Sequence, residues 1–323
     1  MRALVTGGAG FIGSHLVERL LAEGYSVTVL DDLSGGRLEN LDGVRDHPGL
    51  QVIIGDVRDR AALQAALEEV EIVFHLAAVV GVPRVLADPL RTIQVNVEGT
   101  ERVLEACAER GIPVCVASSS EVYGKGVRWP AGEADDLRLG PPTVSRWAYA
   151  VSKLLDEHLA VAWARRGLQV SVVRYFNVYG PRADPHGYGY VVARFMDQAL
   201  RGEPLTVYGD GRQTRSFIYV EDAVEGTLRA GWLPAAFGHV FNIGHPEEIS
   251  ILALAEKIRS ISGSRAPIRF LPFSEVYGPD FEEVPHRVPD VSKARALLGF
   301  EARVTLDDGL QRTWEWWRTC RRV

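Results

Sequence analysis

The chain has 323 residues, of which 46% are hydrophobic and 24% are charged. These proportions are ordinary for a globular protein, and the length suffices for one large α/β unit with a smaller lobe. The formal net charge is −6 and no concentrated basic stripe is present, which argues against a general nucleic-acid binder. A small anionic ligand is compatible with this charge, because local arginines and helix N-termini can attract it.

The sequence predicts no transmembrane helix, because it has no run of about 18 or more apolar residues. Its first residues pass directly into a short apolar strand and not into the longer apolar segment of a signal peptide, so we expect a cytoplasmic protein. Cys107, Cys115 and Cys320 lack the spacing of metal ligands. We therefore interpret them as free thiols in a reducing compartment, and we predict no metal site.

Short apolar runs alternate with helical patterns in the first half of the chain. Strands are predicted at 2–6, 27–30, 51–54, 72–76, 113–117 and 170–174. Helices are predicted at 12–23, 61–69 and 96–110, and a further helix carries Tyr149 and Lys153. This alternation indicates βαβ units, and therefore an α/β fold with a doubly wound parallel sheet.

The second half of the chain is less regular. Beyond residue 180, prolines and glycines interrupt the pattern, which is typical of loops that build a binding site. Helices are predicted at 249–261 and 306–317. We expect residues 1–175 to form the parallel-sheet domain, with a segment of about 215–245 returning to it. Residues 176–323 should form a smaller, interleaved C-terminal α/β lobe that binds substrate.

A glycine-rich loop links the first predicted strand to the first predicted helix. Gly7 permits a tight turn, Gly10 lets backbone amides approach a pyrophosphate, and Gly13 allows close packing of helix on strand. Phe11 and Ile12 lie between the last two glycines. The spacing is GxxGxxG and not the GxGxxG of ordinary dehydrogenases, but its place between strand and helix predicts a dinucleotide site of the Rossmann type.

Asp31 ends the second predicted strand, eighteen residues after Gly13. A carboxylate there accepts hydrogen bonds from the ribose hydroxyls of adenosine and repels a 2′-phosphate, which favours NAD over NADP. Arg37 lies close in sequence and leaves NADP open. Further residues expected near the cofactor are Asp56, Val57, His75, Leu76, Ala77 and Ala78.

Tyr149 and Lys153 stand four residues apart, so a helix places both side chains on one face. The ammonium can there lower the pKa of the phenol from its usual value of about 10. Such a pair alone is also common on exposed helices. Downstream of a dinucleotide loop, however, it predicts a site where a proton moves as a hydride passes to the dinucleotide.

In these motifs the chain resembles the extended short-chain dehydrogenase/reductases that act on nucleotide sugars. The likeness covers nearly the whole chain. Besides the residues above, it lies in Asn96, which would contact the cofactor, and in the segments 118–124, 174–182, 205–211 and 213–220. The resemblance implies a tightly held NAD that is recycled within each turnover and a UDP-sugar substrate. It also implies a homodimer formed through helix 98–110 and the helix of Tyr149.

The same resemblance implies roles for individual residues. Tyr149 would be the base that takes the proton of the C4 hydroxyl, and Lys153 would hold the nicotinamide ribose. Ser119, or the neighbouring Ser120, would bind the same sugar hydroxyl. Further residues would contact the substrate: Asn177 and Arg215 the diphosphate, and Val207 and Tyr208 the nucleobase. An arginine fork suits a diphosphate on geometric grounds as well.

The reaction that follows oxidation depends on the residues after Ser119. Dehydratases that act on thymidine-diphosphate glucose carry an Asp-Glu pair where Ser120 and Glu121 stand, and a serine hydroxyl is a poor general acid. Ser-Glu in this position is similar to the UDP-glucuronate decarboxylases, which also supply an arginine from a segment like 286–290. Oxidation at C4 of a glucuronate makes a β-keto acid that loses carbon dioxide, yielding UDP-xylose. Glu121 and Arg287 would orient the carboxylate and manage the proton that C5 then takes up.

Three departures from those decarboxylases keep other reactions open. They usually have threonine where Ser119 stands, many have an arginine in the loop 189–192, and proline often replaces Ala148. A 4-epimerase of UDP-glucuronate or UDP-glucose is therefore the main alternative. A nucleotide-sugar dehydratase and a non-catalytic NAD-binding sensor are less favoured, the sensor because such proteins tend to lose the pair formed by Tyr149 and Lys153.

Overall fold

The computed structural model describes residues 1–185, 190–278 and 281–320. Its strands are β1 (Arg2–Thr6), β2 (Ser26–Asp31), β3 (Leu50–Ile54), β4 (Ile72–His75), β5 (Val114–Ser119), β6 (Val170–Tyr175), β7 (Val178–Tyr179), β8 (Leu205–Tyr208), β9 (Thr214–Ser216), β10 (Ile218–Tyr219), β11 (Val240–Ile243), β12 (Glu248–Ser250) and β13 (Ile268–Leu271). Its helices are α1 (Phe11–Ala22), α2 (Arg60–Ala66), α3 (Val82–Ala87), α4 (Pro89–Arg110), α5 (Trp147–Ala164), α6 (Val191–Arg201), α7 (Val220–Trp232), α8 (Ile251–Ser262), α9 (Phe273–Tyr277), α10 (Ser292–Leu298) and α11 (Leu306–Cys320).

Seven strands form one parallel sheet in the order β11-β6-β5-β4-β1-β2-β3. The apolar runs of the sequence explain this arrangement, because parallel sheets are buried on both faces. In β1, Ala3 and Val5 join one hydrophobic core while Leu4 joins the other. Helices α1 and α7 cover one face, and α2, α4 and α5 cover the opposite face. The predicted doubly wound parallel sheet is confirmed.

The strand order reverses between β1 and β4, so that chain crossovers leave in opposite directions from these neighbours. In open α/β sheets, ligands bind in the crevice outside the carboxyl ends of the strands at such a reversal. Thr6, Asp31, His75 and Ser119 are the last residues of β1, β2, β4 and β5. The topology therefore gathers the predicted motifs at one edge of the sheet.

Helix α4 is longer than its apolar periodicity predicted. It begins at Pro89 and not at residue 96, since Asp88 caps it by accepting a hydrogen bond from the Arg91 N–H at 2.9 Å. Proline in the first turn loses no helical hydrogen bond. The helix ends at Arg110, and the next residue, Gly111, has a left-handed φ of +68°.

A buried ion pair fixes helix α5 against the sheet. The Arg174 guanidinium of β6 donates to both oxygens of Glu157, at 2.8 and 2.6 Å, and both side chains are 5% exposed. Ser118 of β5 donates to the same carboxylate at 2.5 Å. Since α5 also carries Tyr149 and Lys153, this bidentate pair helps to fix the position of these two residues relative to the strands.

Short strand pairs organise the second half of the chain. β8 pairs with β13 and β7 with β10 in parallel, and β9 pairs with β12 antiparallel. Strand β11 returns to the main sheet beside β6. The predicted division of the chain into two domains at residue 175 stays a prediction. Within the described ranges, no helix combines the length and apolarity needed to cross a membrane.

Candidate active site

A cavity of about 450 Å³ opens at the carboxyl edge of the sheet. Residues from both halves of the chain line it. They include most of the predicted site residues: Gly7, Gly10, Phe11, Ile12, Gly13, Asp31, Asp56, Val57, Leu76, Ala77, Ala78, Ser119, Ser120, Glu121, Tyr149, Lys153, Asn177, Tyr208, Arg215 and Arg287. Asn96 and Val207 are not part of this lining.

The glycine-rich loop is packed too tightly for side chains. Gly7 has a φ of +72°, and a Cβ on it would lie 2.8 Å from the backbone nitrogen of Ala77. A Cβ on Gly13 would collide with the carbonyl oxygen of Gly7. The loop leads into the N-terminus of α1, whose free N–H groups attract anions. This backbone cradle fits a dinucleotide pyrophosphate.

Asp31 lies beside the loop with both carboxylate oxygens engaged. Oδ2 accepts from the Ala9 N–H and Oδ1 from the Leu33 N–H, each at 2.9 Å. Burial raises the pKa of Asp31, and these two hydrogen bonds oppose the rise. Arg37, which left NADP open in the sequence, lies 3.6 Å from Asp184 and its side chain is 59% exposed.

The side-chain oxygens of Asp56 and Asn96, two residues predicted near the cofactor, are hydrogen-bonded within the protein. Arg58 grips both oxygens of Asp56, and this contact lowers the pKa of the carboxyl. Asn96 is fully buried: its side chain accepts from the Val79 N–H at 2.7 Å and donates to the Val79 carbonyl and the Ser152 hydroxyl. Asn96 thus shapes the cavity wall after β4 from behind.

Tyr149 and Lys153 both line the cavity, as their spacing predicted, but their electrostatics differ from the expectation. Burial raises the pKa of Tyr149 above its ordinary value, and a hydrogen bond with Ser119 opposes this rise. Lys153 Nζ donates to the buried carboxylate of Asp156 at 2.9 Å. The net rise of the phenol pKa contradicts the predicted fall, because burial outweighs the effects that favour the phenolate.

Glu121 lies between two arginines. Arg287 Nη1 donates to its Oε1 at 2.6 Å, and Arg146 Nη2 lies 3.4 Å from its Oε2. Burial acts to raise the pKa of Glu121, but the two guanidiniums outweigh it and bring the pKa to about 2. The two arginines thus hold Glu121 as a carboxylate, and its part in managing the proton that C5 takes up stays a prediction.

Arg146 is a site residue that the sequence reasoning missed. It stands at the residue before helix α5, three residues before Tyr149, and its buried guanidinium reaches the carbonyl of Glu282 as well as Glu121. The spacing of three from Tyr149 was the available signal, because residues at i and i+3 share a helical face.

The remaining predicted substrate residues divide by position. Arg215 is buried beside Glu283, with Nη2 donating to Oε1 at 2.5 Å, and burial lowers the pKa of Arg215 to about 10. Asn177 lines the cavity with a φ of +41° and donates to the carbonyl of Ser216. Tyr208 also lines it, and the Arg194 guanidinium lies 3.8 Å from its ring centre.

Val207 lies in the hydrophobic core and not at the cavity. It precedes Tyr208 on β8, and neighbouring strand residues point to opposite faces, so that one of the two faces away from the cavity. Aromatic side chains that sequence reasoning missed continue the wall beside Tyr208: Phe273, Tyr277 and Phe281. Of the loop 189–192, Gly189 lies outside the described residues.

Known proteins share the sequence pattern and the fold of this chain. The model of the NAD dependent epimerase/dehydratase family matches residues 3–244. The chain belongs to this family. It is 41% identical to the UDP-N-acetyl-alpha-D-glucosaminuronate decarboxylase of Bacillus cytotoxicus, over 98% of each chain. It is 37% identical to UDP-glucuronic acid decarboxylase 1 of Danio rerio, over 97% of this chain and 71% of the relative.

A solved UDP-glucose 4-epimerase of Thermotoga maritima, with UDP-glucose, has the same fold. It is 33% identical, with a TM-score of 0.90 and coverage of 99% of both chains. The chain is therefore an NAD-dependent enzyme of nucleotide-sugar metabolism, as the sequence predicted. The cradle at Gly7 and Gly13, with Asp31 beside it, is where this chain can hold the NAD.

Proposed function

We propose that this protein is a UDP-glucuronate decarboxylase that oxidises C4 of the sugar, releases carbon dioxide and yields UDP-xylose. The observation that carries the proposal is the placement of Glu121 between Arg287 and Arg146, in the same cavity as Tyr149 and the dinucleotide cradle. Guanidiniums suit a carboxylate substrate. The two decarboxylase relatives, similar over nearly the whole chain, support this choice.

Three cavity residues have a proposed part in the oxidation: Tyr149, Ser119 and Lys153. Tyr149, as its phenolate, takes the proton of the C4 hydroxyl, and Ser119, its hydrogen-bond partner, binds the same hydroxyl. NAD, when bound, accepts the hydride of C4 and later returns it. Lys153 keeps N–H donors beyond the one given to Asp156, and these can hold the nicotinamide ribose.

The second stage follows from the charges around Glu121. A 4-keto group makes the C5 carboxylate that of a β-keto acid, which loses carbon dioxide and leaves an enolate. Arg287 and Arg146 hold the carboxylate that C5 carries, while Arg215 and Asn177 bind the diphosphate. As a carboxylate, Glu121 can hold a water molecule that protonates C5, and the hydroxide that this water leaves passes to the solvent.

A 4-epimerase is the second candidate, supported by the fold shared with the Thermotoga maritima epimerase. It would use the same Tyr149 and let the 4-keto sugar turn before hydride returns. The paired arginines favour a sugar that carries a carboxylate over UDP-glucose, and the decarboxylase relatives favour decarboxylation of that sugar over its epimerisation.

Product mass separates these functions. We expect purified enzyme supplied with UDP-glucuronate to release carbon dioxide and to form a UDP-pentose, detected by mass spectrometry. Parallel reactions with UDP-N-acetylglucosaminuronate and UDP-glucose report which sugar it prefers. A product of unchanged mass with a new sugar stereochemistry would make the enzyme an epimerase, and the absence of turnover on all three would leave a binding protein.

We also propose that the enzyme is a homodimer joined through α4 and α5. Val151 and Leu155 lie one turn apart on α5 and are 37% and 42% exposed, and Leu90 of α4 is 64% exposed. A Leu155→Glu substitution should place a charge in this contact and shift the enzyme towards monomers. Light scattering after size-exclusion chromatography checks this; a wild-type monomer would contradict the proposal.

We further propose a cytoplasmic location. The support is that all three cysteines carry free thiols, two of them buried. Recovery of the enzyme in a secreted fraction of its host would contradict this.

A further inference from the structure

Lys153 is held from behind by a buried carboxylate that the proposed reaction does not use. Its Nζ donates to Asp156 Oδ2 at 2.9 Å, and the two side chains are 3% and 0% exposed. Burial raises the pKa of Asp156, whereas the Lys153 ammonium and the Thr100 hydroxyl oppose that rise. Within the described residues, Asp156 Oδ1 has no hydrogen-bond partner.

A chain of buried polar groups leads from this pair to the glycine-rich loop. The Ala77 N–H donates to Thr6 Oγ1 at 3.3 Å, and Thr6 Oγ1 lies 2.7 Å from His75 Nδ1. His75 Nε2 lies 3.2 Å from Thr100 Oγ1. Thr100 in turn faces the carboxylate of Asp156.

The hydroxyls of Thr6 and Thr100 lie at the two ring nitrogens of His75, and Thr100 also acts on the carboxylate of Asp156. Burial, and secondarily the charge of Lys153, lower the pKa of His75 to about 3, so the imidazole is neutral.

The charged groups around the phenol show what Asp156 does. The groups that act on Tyr149 are Ser119 of β5, Glu121 of the following turn, Tyr190 before α6 and Asp156 of its own helix. Asp156 itself faces Lys153 and Glu157 on α5 and Thr100 on α4. Two carboxylates thus act on the phenol, and of these Asp156 also accepts a hydrogen bond from Lys153.

We propose that Asp156 is a positioning residue for C4 oxidation, which anchors the Lys153 ammonium one helical turn from Tyr149 and so determines the charge that Tyr149 meets when it acts as base. The polar side chains of Thr6, His75 and Thr100 extend from this carboxylate towards the strand that leads into the cofactor loop. The inference rests on the proposed role of Tyr149 in oxidation, but not on the choice between decarboxylation and epimerisation.

The test removes the charge of Asp156 and keeps the shape of its side chain. In Asp156→Asn, ionisation of Tyr149 no longer meets this negative charge, so the rise of activity with pH should move about one pH unit lower. Tyrosinate absorbance, taken as the difference between each variant and the same variant carrying Tyr149→Phe, should show the same displacement without any turnover. Asp156→Glu, which restores the charge, should return both towards the wild type.

A matched control distinguishes this role from support of the fold. Asp222 is another buried carboxylate, which accepts from the N–H groups of Arg303 and Val304 and does not line the cavity. Asp222→Asn should lower the melting temperature without moving either pH curve. If Asp156→Asn does not fold, Asp156→Ser removes the same charge and carries the same expectation.

Unmoved pH curves in a folded Asp156 variant would overturn the inference. Because the absorbance titration needs no substrate, such a result would leave the proposed reaction intact. Conversely, an enzyme that turns over no UDP-sugar would refute the reaction while the titration still reports on Asp156.

Discussion

Turnover of UDP-glucuronate by a Tyr149→Phe variant should fall by about 10²–10⁴-fold while NAD stays bound. The substitution deletes one oxygen atom from a side chain that lines the cavity and is bonded to Ser119. Without the phenol, no described group bonded to Ser119 is left to take the proton of the C4 hydroxyl. Single-turnover reduction of bound NAD, followed by absorbance, measures this loss at the oxidation step itself.

Tyr175 supplies a matched control for that variant. Its ring also lines the cavity, but its hydroxyl is bonded to Thr227 at 2.6 Å. Tyr175→Phe should therefore leave the rate of oxidation within a few-fold of the wild type. Retained oxidation in Tyr149→Phe would remove the proposed base, and loss of NAD from that variant would mean that the phenol binds the cofactor instead.

Replacing Glu121 by alanine should reduce the release of carbon dioxide by about 10²–10⁴-fold and spare C4 oxidation. The carboxylate orients Arg287 at 2.6 Å, and its removal leaves two buried guanidiniums without this counter-ion. The arginines then lose their fixed position over C5. Trapped carbon dioxide measures the second stage, and the absorbance of reduced NAD, which should accumulate with the 4-keto sugar, measures the first.

Glu283 provides the comparison for Glu121, because it also pairs with a cavity arginine. It accepts from Arg215 at 2.5 Å, where we place the diphosphate, and its 4.0 Å separation from Arg146 Nη1 is too long for a hydrogen bond. Glu283→Gln should raise KM for the UDP-sugar and leave the ratio of carbon dioxide to oxidised sugar unchanged. A normal rate of carbon dioxide release in Glu121→Ala would show that Glu121 has no part in decarboxylation.

The sequence predicted those parts of the site that depend on local pattern. The loop from Gly7 to Gly13 is recognisable because a strand, a tight turn and a helix start follow one another within a few residues. Tyr149 and Lys153 are recognisable because helical spacing alone places them together. Alternation along β8 would also have shown that Val207 and Tyr208 cannot both face the cavity.

Electrostatics could not be predicted in the same way, because it depends on partners that are distant in sequence. Arg287 could have paired with Glu282 or Glu283 next to it, yet it meets Glu121 of the other half of the chain. The spacing of Tyr149 and Lys153 says nothing about burial, which raises the pKa of the phenol where the pattern predicted a fall.

The ion pair between Glu157 and Arg174 constrains how this enzyme can vary. Losing one partner strands the other as an uncompensated buried charge, at a cost of about 3–5 kcal/mol, whereas exchanging both for apolar residues can be nearly neutral. Single substitutions at these two positions should therefore be rare among functional relatives, and tolerated changes should occur as coordinated double replacements. The pair therefore restricts sequence change at the helix that carries Tyr149.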